Sequence, residues 1–292
     1  MTNPIQRASL LTFIAITFIG TFGIEFWLIN QGVRFDTEVI QYTPIGWLLL
    51  TMWMPGLAAL IAAKFVEGLS FAELKESLLL RLGSIGPYLL VFLIAPLAFA
   101  GMYGLSWALG LTTPDWGMST LILATGNDES ITPESVFQLM LPLSIVIGPL
   151  MHFFFALGEE IGWRGYLLTR LMPLGKVKAY ALVGILWGLW HAPIIWVGFN
   201  YPDHPVAGIG MMCLLTSAFG LFINEMTLHY RSAYLAAFIH AAVNAQGFGI
   251  WMWLFPDTSP FFGGATGFTG IIVWLCIGTM TTKMLAKLKI LN

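Results

Sequence analysis

The chain has 292 residues, of which 58% are hydrophobic and only 10% charged. A soluble domain carries about 25% charge, so this chain cannot cover a water-facing surface and reads as an all-α polytopic membrane protein. The net charge of -2 says nothing about nucleic acid and no basic run suggests such a partner, which leaves the lipid bilayer as the surrounding medium.

By the rule of about 20 apolar residues per crossing, the sequence predicts a bundle of about eight transmembrane helices, roughly at 9–30, 46–66, 86–111, 135–158, 177–198, 206–228, 232–255 and 264–285. The first run is too long for a signal-peptide core and lacks a small-x-small cleavage site, so it reads as a retained span. The loop 67–81 intersperses Glu67, Glu73, Lys75, Glu76 and Arg81 with apolar residues and reads as a short amphipathic helix at the membrane surface. The fourth span has a helical extension towards Leu171. Residues 256–267 are rich in Gly and Pro and read as a turn-rich loop. Twelve of the 13 Lys and Arg fall on alternate sides of this layout, which predicts an integral membrane protein with both termini cytoplasmic. Asp115, Asp128, Glu129, Glu134, Asp203 and Asp257 then fall outside, and Trp116, Tyr201, Trp251 and Trp253 sit near span ends, where amphipathic rings favour the interface. Cys213 and Cys276 lie in apolar runs and show neither a disulfide framework nor a metal spacing. The whole chain, 1–292, reads as a single transmembrane domain, with its chemistry concentrated at about 135–255.

Polar residues in these spans need a reason, because a charge at the centre of a bilayer costs about 2.5–3.5 kcal/mol on insertion scales. The stretch Gly158-Glu159-Glu160-Ile161-Gly162-Trp163-Arg164 holds three. On a helix, Glu160 and Arg164 are i,i+4 neighbours that can neutralise each other, while Glu159 is turned about 100° away and faces elsewhere. The fifth span contains Trp187-Gly188-Leu189-Trp190-His191-Ala192-Pro193, in which the proline frees a helix carbonyl. The seventh places His240 and Asn244 one turn apart among Ala236, Ala237, Ala241, Ala242 and Ala245, small residues that admit a close neighbouring helix. At about 1.5 Å per residue, His191 lies about 21 Å from the cytoplasmic end of its span, His240 about 12 Å, and Asn244 and Glu159 about 18 Å. These four groups share one slab of the membrane.

A carboxylate and an imidazole in a dry pocket can activate a water, while a second imidazole and a carboxamide can hold an oxyanion. In these roles Glu159 and His191 would be the activating pair, His240 and Asn244 the oxyanion donors, and Glu160 with Arg164 the support that presents Glu159. Two His and one Glu also make a catalytic zinc set, so Glu159, His191 and His240 could instead bind a divalent metal. The sequence leaves both mechanisms open. His-Glu-x-x-His and Gly-x-Ser-x-Gly are absent. Elsewhere, His152 reads as packing among Phe153–Phe155, Glu25 as reaching the outer interface from the first span, and Glu225 as solvated. Trp187 and Trp190 read as packing.

The residues Glu159-Glu160-Ile161-Gly162-Trp163-Arg164, Trp187-Gly188-Leu189-Trp190-His191 and His240-Ala241-Ala242-Val243-Asn244 resemble the three motifs of the CAAX-protease and bacteriocin-processing (Abi) family of intramembrane endopeptidases. Trp187 stands where the family pattern has Phe. The resemblance implies eight transmembrane helices around an embedded active site, catalytic roles for Glu159, His191, His240 and Asn244, and a membrane protein or peptide as substrate, prenylated in the eukaryotic members. Both metal-dependent and metal-free glutamate mechanisms are attached to the family. Two other classes fit the intramembrane charges: a small proton-coupled transporter, which the lack of paired repeats with broken helices disfavours, and a non-catalytic immunity or scaffold protein on the same fold.

Overall fold

The computed structural model describes residues 4–35, 42–126, 128 and 130–291. Glu129 lies outside the described residues. Helices follow one another as α1 (Pro4–Asn30), α2 (Tyr42–Thr51), α3 (Met54–Ile61), α4 (Phe71–Ser77), α5 (Gly86–Ala108), α6 (Ser119–Ala124), α7 (Pro133–Pro142), α8 (Gly148–Glu160), α9 (Thr169–Leu171), α10 (Lys176–Trp190), α11 (Ala192–Trp196), α12 (Pro205–Tyr230), α13 (Ala233–Gly247), α14 (Ile250–Leu254) and α15 (Phe268–Leu291). No strand occurs among the described residues.

Among the described residues, seven helical stretches are long and apolar enough to cross a bilayer. The eighth expected span is present but broken: α10 stops at Trp190 and α11 resumes at Ala192, so neither piece reaches crossing length. Pro193 has no N–H for the carbonyl four residues back, which is why the helix parts here. The two pieces together still run between opposite ends of the bundle. Lys176 pairs with Glu225 at one end, and the Val197 carbonyl accepts from Phe35 N at the other, 2.9 Å. By contrast, the stretch from Pro133 to Leu174 is one helical rod of 42 residues, carrying π-helical turns at Leu143–Ile147 and Ile161–Leu168.

Both chain ends lie on one side. Gln6 bonds the Arg170 carbonyl, Glu225 pairs with Lys176, and Thr282 donates to Glu225, tying the first and last helices to the same layer. The opposite end gathers the loops: Asp115 N bonds Leu254 O, Thr258 bonds Thr112, and the Tyr201 hydroxyl donates to Thr266 O. Small residues set the close approaches between. Ala156 packs with Ala237 and Ala241 where α8 meets α13. A Cβ at Gly162 would stand 2.6 Å from the Pro55 backbone of α3, and one at Gly188 would stand 2.4 Å from Cys213 Cα of α12.

The surface loop helix forms as its sequence predicts, capped by a reciprocal Ser70–Glu73 pair. Glu225 departs from expectation. It is buried, and Lys176 and Thr282 satisfy it across the bundle.

Candidate active site

The twin glutamates end α8, and the π-helical turn begins with the next residue. A π-turn inserts an extra residue into the helix, a feature common at functional sites. Glu159 and Glu160 then part company. Glu159 lines a cavity of about 530 Å³, whereas Glu160 and Arg164 lie behind it, each 0% exposed. Arg164 Nη1 donates to both oxygens of Glu160, at 2.9 and 3.0 Å, and its Nε donates to Asn224 Oδ1 at 3.1 Å. The guanidinium also stacks 4.0 Å over the ring of Trp187. Arg164 therefore answers Glu160, and the indole N–H of Trp187 answers Glu159, donating to its Oε2 at 2.7 Å.

The break after Trp190 shapes His191. Its backbone N–H bonds Gly188 O, one residue short of the α-helical partner. That leaves the Trp187 carbonyl to the imidazole, whose Nδ1 lies 2.9 Å away. A carbonyl only accepts, so Nδ1 carries the proton and Nε2 keeps its lone pair. His240 is set similarly. Its Nδ1 lies 2.9 Å from Glu160 Oε1, which makes Glu160 a bridge between Arg164 and His240. Trp187 stands among them, with its ring centroid 6.3 Å from that of His191 and 5.3 Å from that of His240.

Glu159, His191, His240 and Asn244 all line the one cavity. The side chains from α8, the α10–α11 break and α13 that the sequence put at one depth are thus brought to one space. The same residues were tested as a metal centre. Among the described residues, no three His, Cys, Asp or Glu side chains are grouped to hold an ion. Both Nδ1 atoms and one Glu159 oxygen are bonded to protein, which leaves each Nε2 and the other Glu159 oxygen as the available donors. As arranged, the three side chains are not drawn together around one point, as a three-ligand zinc site requires.

Four residues take positions that the sequence reading did not give them. Trp187 is a donor to Glu159 and not only a wall. Asn224 holds the far side of Arg164. His152, read as packing among Phe153–Phe155, lines the cavity and lies parallel to Phe248. Glu25, read as reaching the interface, is 1% exposed and lines the cavity as well. Glu25 and Glu159 differ in depth by only a few residues, so the signal was present. Depth alone does not tell which side of a helix a residue is on.

Comparison with known proteins falls on the same segment. Residues 141–246 match the family model described as Rce1-like, type II CAAX prenyl endopeptidase. That stretch holds all three motifs. The curated CAAX prenyl protease 2 of Methanococcus maripaludis is 35% identical over 92 residues, covering 30% of this chain and 34% of the relative. The match thus spans about a third of the relative's length. The resemblance read from the motifs reaches well beyond the motif residues themselves.

Proposed function

From a motif-bearing segment similar to the type II CAAX prenyl endopeptidases, we propose that this chain is an intramembrane endopeptidase whose base is Glu159. The observation that carries the reading is the convergence of Glu159, His191, His240 and Asn244 on one cavity among membrane-spanning helices. In the proposed reaction a water in the cavity gives a proton to Glu159, while the free Nε2 of His191 accepts its other hydrogen and orients it. The hydroxide oxygen attacks the peptide carbonyl carbon. Charge collects on the carbonyl oxygen, where the Asn244 carboxamide and His240 Nε2–H donate to it. His240 carries its second proton on Nδ1, against Glu160, which Arg164 also holds. The C–N bond then breaks, and the proton held by Glu159 passes to the leaving nitrogen, giving one carboxylic acid and one amine. The substrate on this reading is a membrane-associated protein or peptide. The lining is mostly apolar, with Phe99, Phe219, Phe248 and Trp274 among it, so a lipidated chain would find a compatible surface.

The test is reconstitution of the purified chain in lipid vesicles with membrane-associated peptides, farnesylated and plain, and mass-spectrometric detection of new termini. Wild type is expected to cut, and Glu159→Ala and His191→Ala to lose cutting while still eluting as folded protein. Cutting that survives both substitutions would overturn the assignment. Equal cutting in the presence of chelator supports the water-activating carboxylate, and loss that is restored by zinc overturns the metal-free form.

A further inference from the structure

Glu25 has no part in the reaction above. It sits in α1, on the side that also buries Ser9, Phe13, Thr17 and Thr21 at four-residue intervals. Its residue is 1% exposed, and its Oε2 has no hydrogen-bond partner among the described residues. Thr21, one turn away, already accepts the Trp190 indole N–H at 2.8 Å. A carboxyl group inside a bundle without a donor is costly, and such residues mark pathways or ligand contacts. Glu25 and Glu159 both line the cavity, and no Lys or Arg does so among the described residues. The cation nearest in sequence along the motif helix, Arg164, is committed to Glu160 and Asn224. Apart from His240, which is bonded to Glu160, the cavity presents two carboxyl groups and no cationic side chain among the described residues, and Glu25 Oε2 is left without a donor. The cavity's own chemistry asks for a positive charge to be brought by whatever enters.

We propose that Glu25 is a specificity-determining residue that receives a positively charged nitrogen of the substrate, an ammonium or guanidinium, beside the bond to be cut. This rests on the endopeptidase reading. Glu159 would act on the water, and Glu25 would pair with the cation and fix the register of the peptide. Removing one partner of a buried charged pair is costly, so the preference is expected to be large.

The experiment uses the full chain in phosphatidylcholine vesicles and short uncharged peptides into which one Lys is moved stepwise, each with a norleucine twin. Ends are blocked in one series, and the amino terminus is left free in another, to separate a side-chain source of the charge from the terminal one. Cleavage is followed on wild type. Binding is followed by fluorescence anisotropy on Glu159→Gln, so that a second readout does not need hydrolysis. At one Lys position, or with the free amine, the charged peptide is expected to be preferred roughly tenfold or more. In Glu25→Gln that ratio is expected to fall close to one, Glu25→Asp to recover part of it, and Glu25→Lys to reverse it in favour of a Glu-bearing peptide. A ratio unchanged by Glu25→Gln, or no position with any preference, overturns the proposal. Charge-selective binding without hydrolysis would keep Glu25 as a cation subsite and remove the endopeptidase reading. Hydrolysis without charge selection would do the opposite.

Discussion

At the scale of single residues, Trp187 links four side chains of the site. It donates to Glu159, lies under Arg164, meets His240 edge to face and offers its carbonyl to His191. A phenyl ring could keep the packing but not the N–H. Trp187→Phe is therefore expected to fold, with kcat down roughly tenfold or more and KM little changed, because a hydrogen bond to a charged group is worth about 1.5–3 kcal/mol. A Phe variant with unaltered kinetics would reduce Trp187 to packing. The Glu160–Arg164 pair makes a different demand. Both are 0% exposed, and removing the guanidinium would strand a buried carboxylate at a cost of about 3–5 kcal/mol. Arg164→Met is expected to lower the yield of folded protein sharply, and the double variant Glu160→Gln, Arg164→Met to recover most of it, both read by size-exclusion elution. Glu159, His191, His240 and Asn244 were legible because polar residues in apolar runs stand out against the solvent they occupy. The Trp187 donor was not, because treating Trp and Phe as one aromatic class hides the N–H. Nor were the partners of Glu225, which come from elements far apart in sequence.

At the scale of elements, the site depends on helices that approach more closely than side chains allow. Gly158, Gly162 and Gly165 face the backbones of Trp53, Pro55 and Leu78, so the helix that carries Glu159 lies directly on α3 and the loop beyond α4. Overpacking of this kind costs about 1–3 kcal/mol. Gly162→Val is expected to lower the thermal midpoint and to weaken catalysis by displacing Glu159, whereas Gly23→Ala, where a Cβ meets nothing within 4 Å, is expected to do neither. The end of the same helix is held by a clamp outside the membrane span. Burial pushes the Glu67 carboxyl up, but hydrogen bonds from Arg170, Ser9 and Tyr166 and the Arg170 charge outweigh it and hold the group below its ordinary value. A carboxyl whose pKa is lower folded than unfolded contributes stability above its unfolded value, and that stability is lost as pH falls through the folded one. The melting difference between wild type and Glu67→Gln is expected to be full at neutral pH and to shrink below about pH 4. The break at His191 was half legible. Pro193 announced a disturbed helix, but only the coordinates show that the freed Trp187 carbonyl goes to the His191 ring.

At the scale of the whole molecule, the question is which side of the membrane the cavity serves. Its lining includes Phe35, Phe199, Asn200, Pro256, Thr258, Pro260 and Gly263–Thr266, all from the loops that cluster at the end opposite the chain termini. Nothing in the layer of Glu67, Arg170, Lys176 and Glu225 lines it. The distribution of Lys and Arg leads to the expectation that the termini and that layer face the cytoplasm. With that orientation the entrance is expected on the outer side, where a peptide would arrive without first crossing the bilayer. Single cysteines report this directly, in a chain whose Cys213 and Cys276 are replaced by Ala. Asp257 is exposed at the loop end and Lys75 is exposed on the surface helix near the other. On intact cells, Asp257→Cys is expected to react with a membrane-impermeant maleimide, and Lys75→Cys only after permeabilisation. The reverse pattern would turn the cavity towards the cytoplasm and make a cytosolic chain end its natural substrate. Vesicles with one orientation extend the test to function. Peptide added outside is expected to be cut only when the Asp257 side faces out, because no residue of the Glu67 and Arg170 layer lines the cavity.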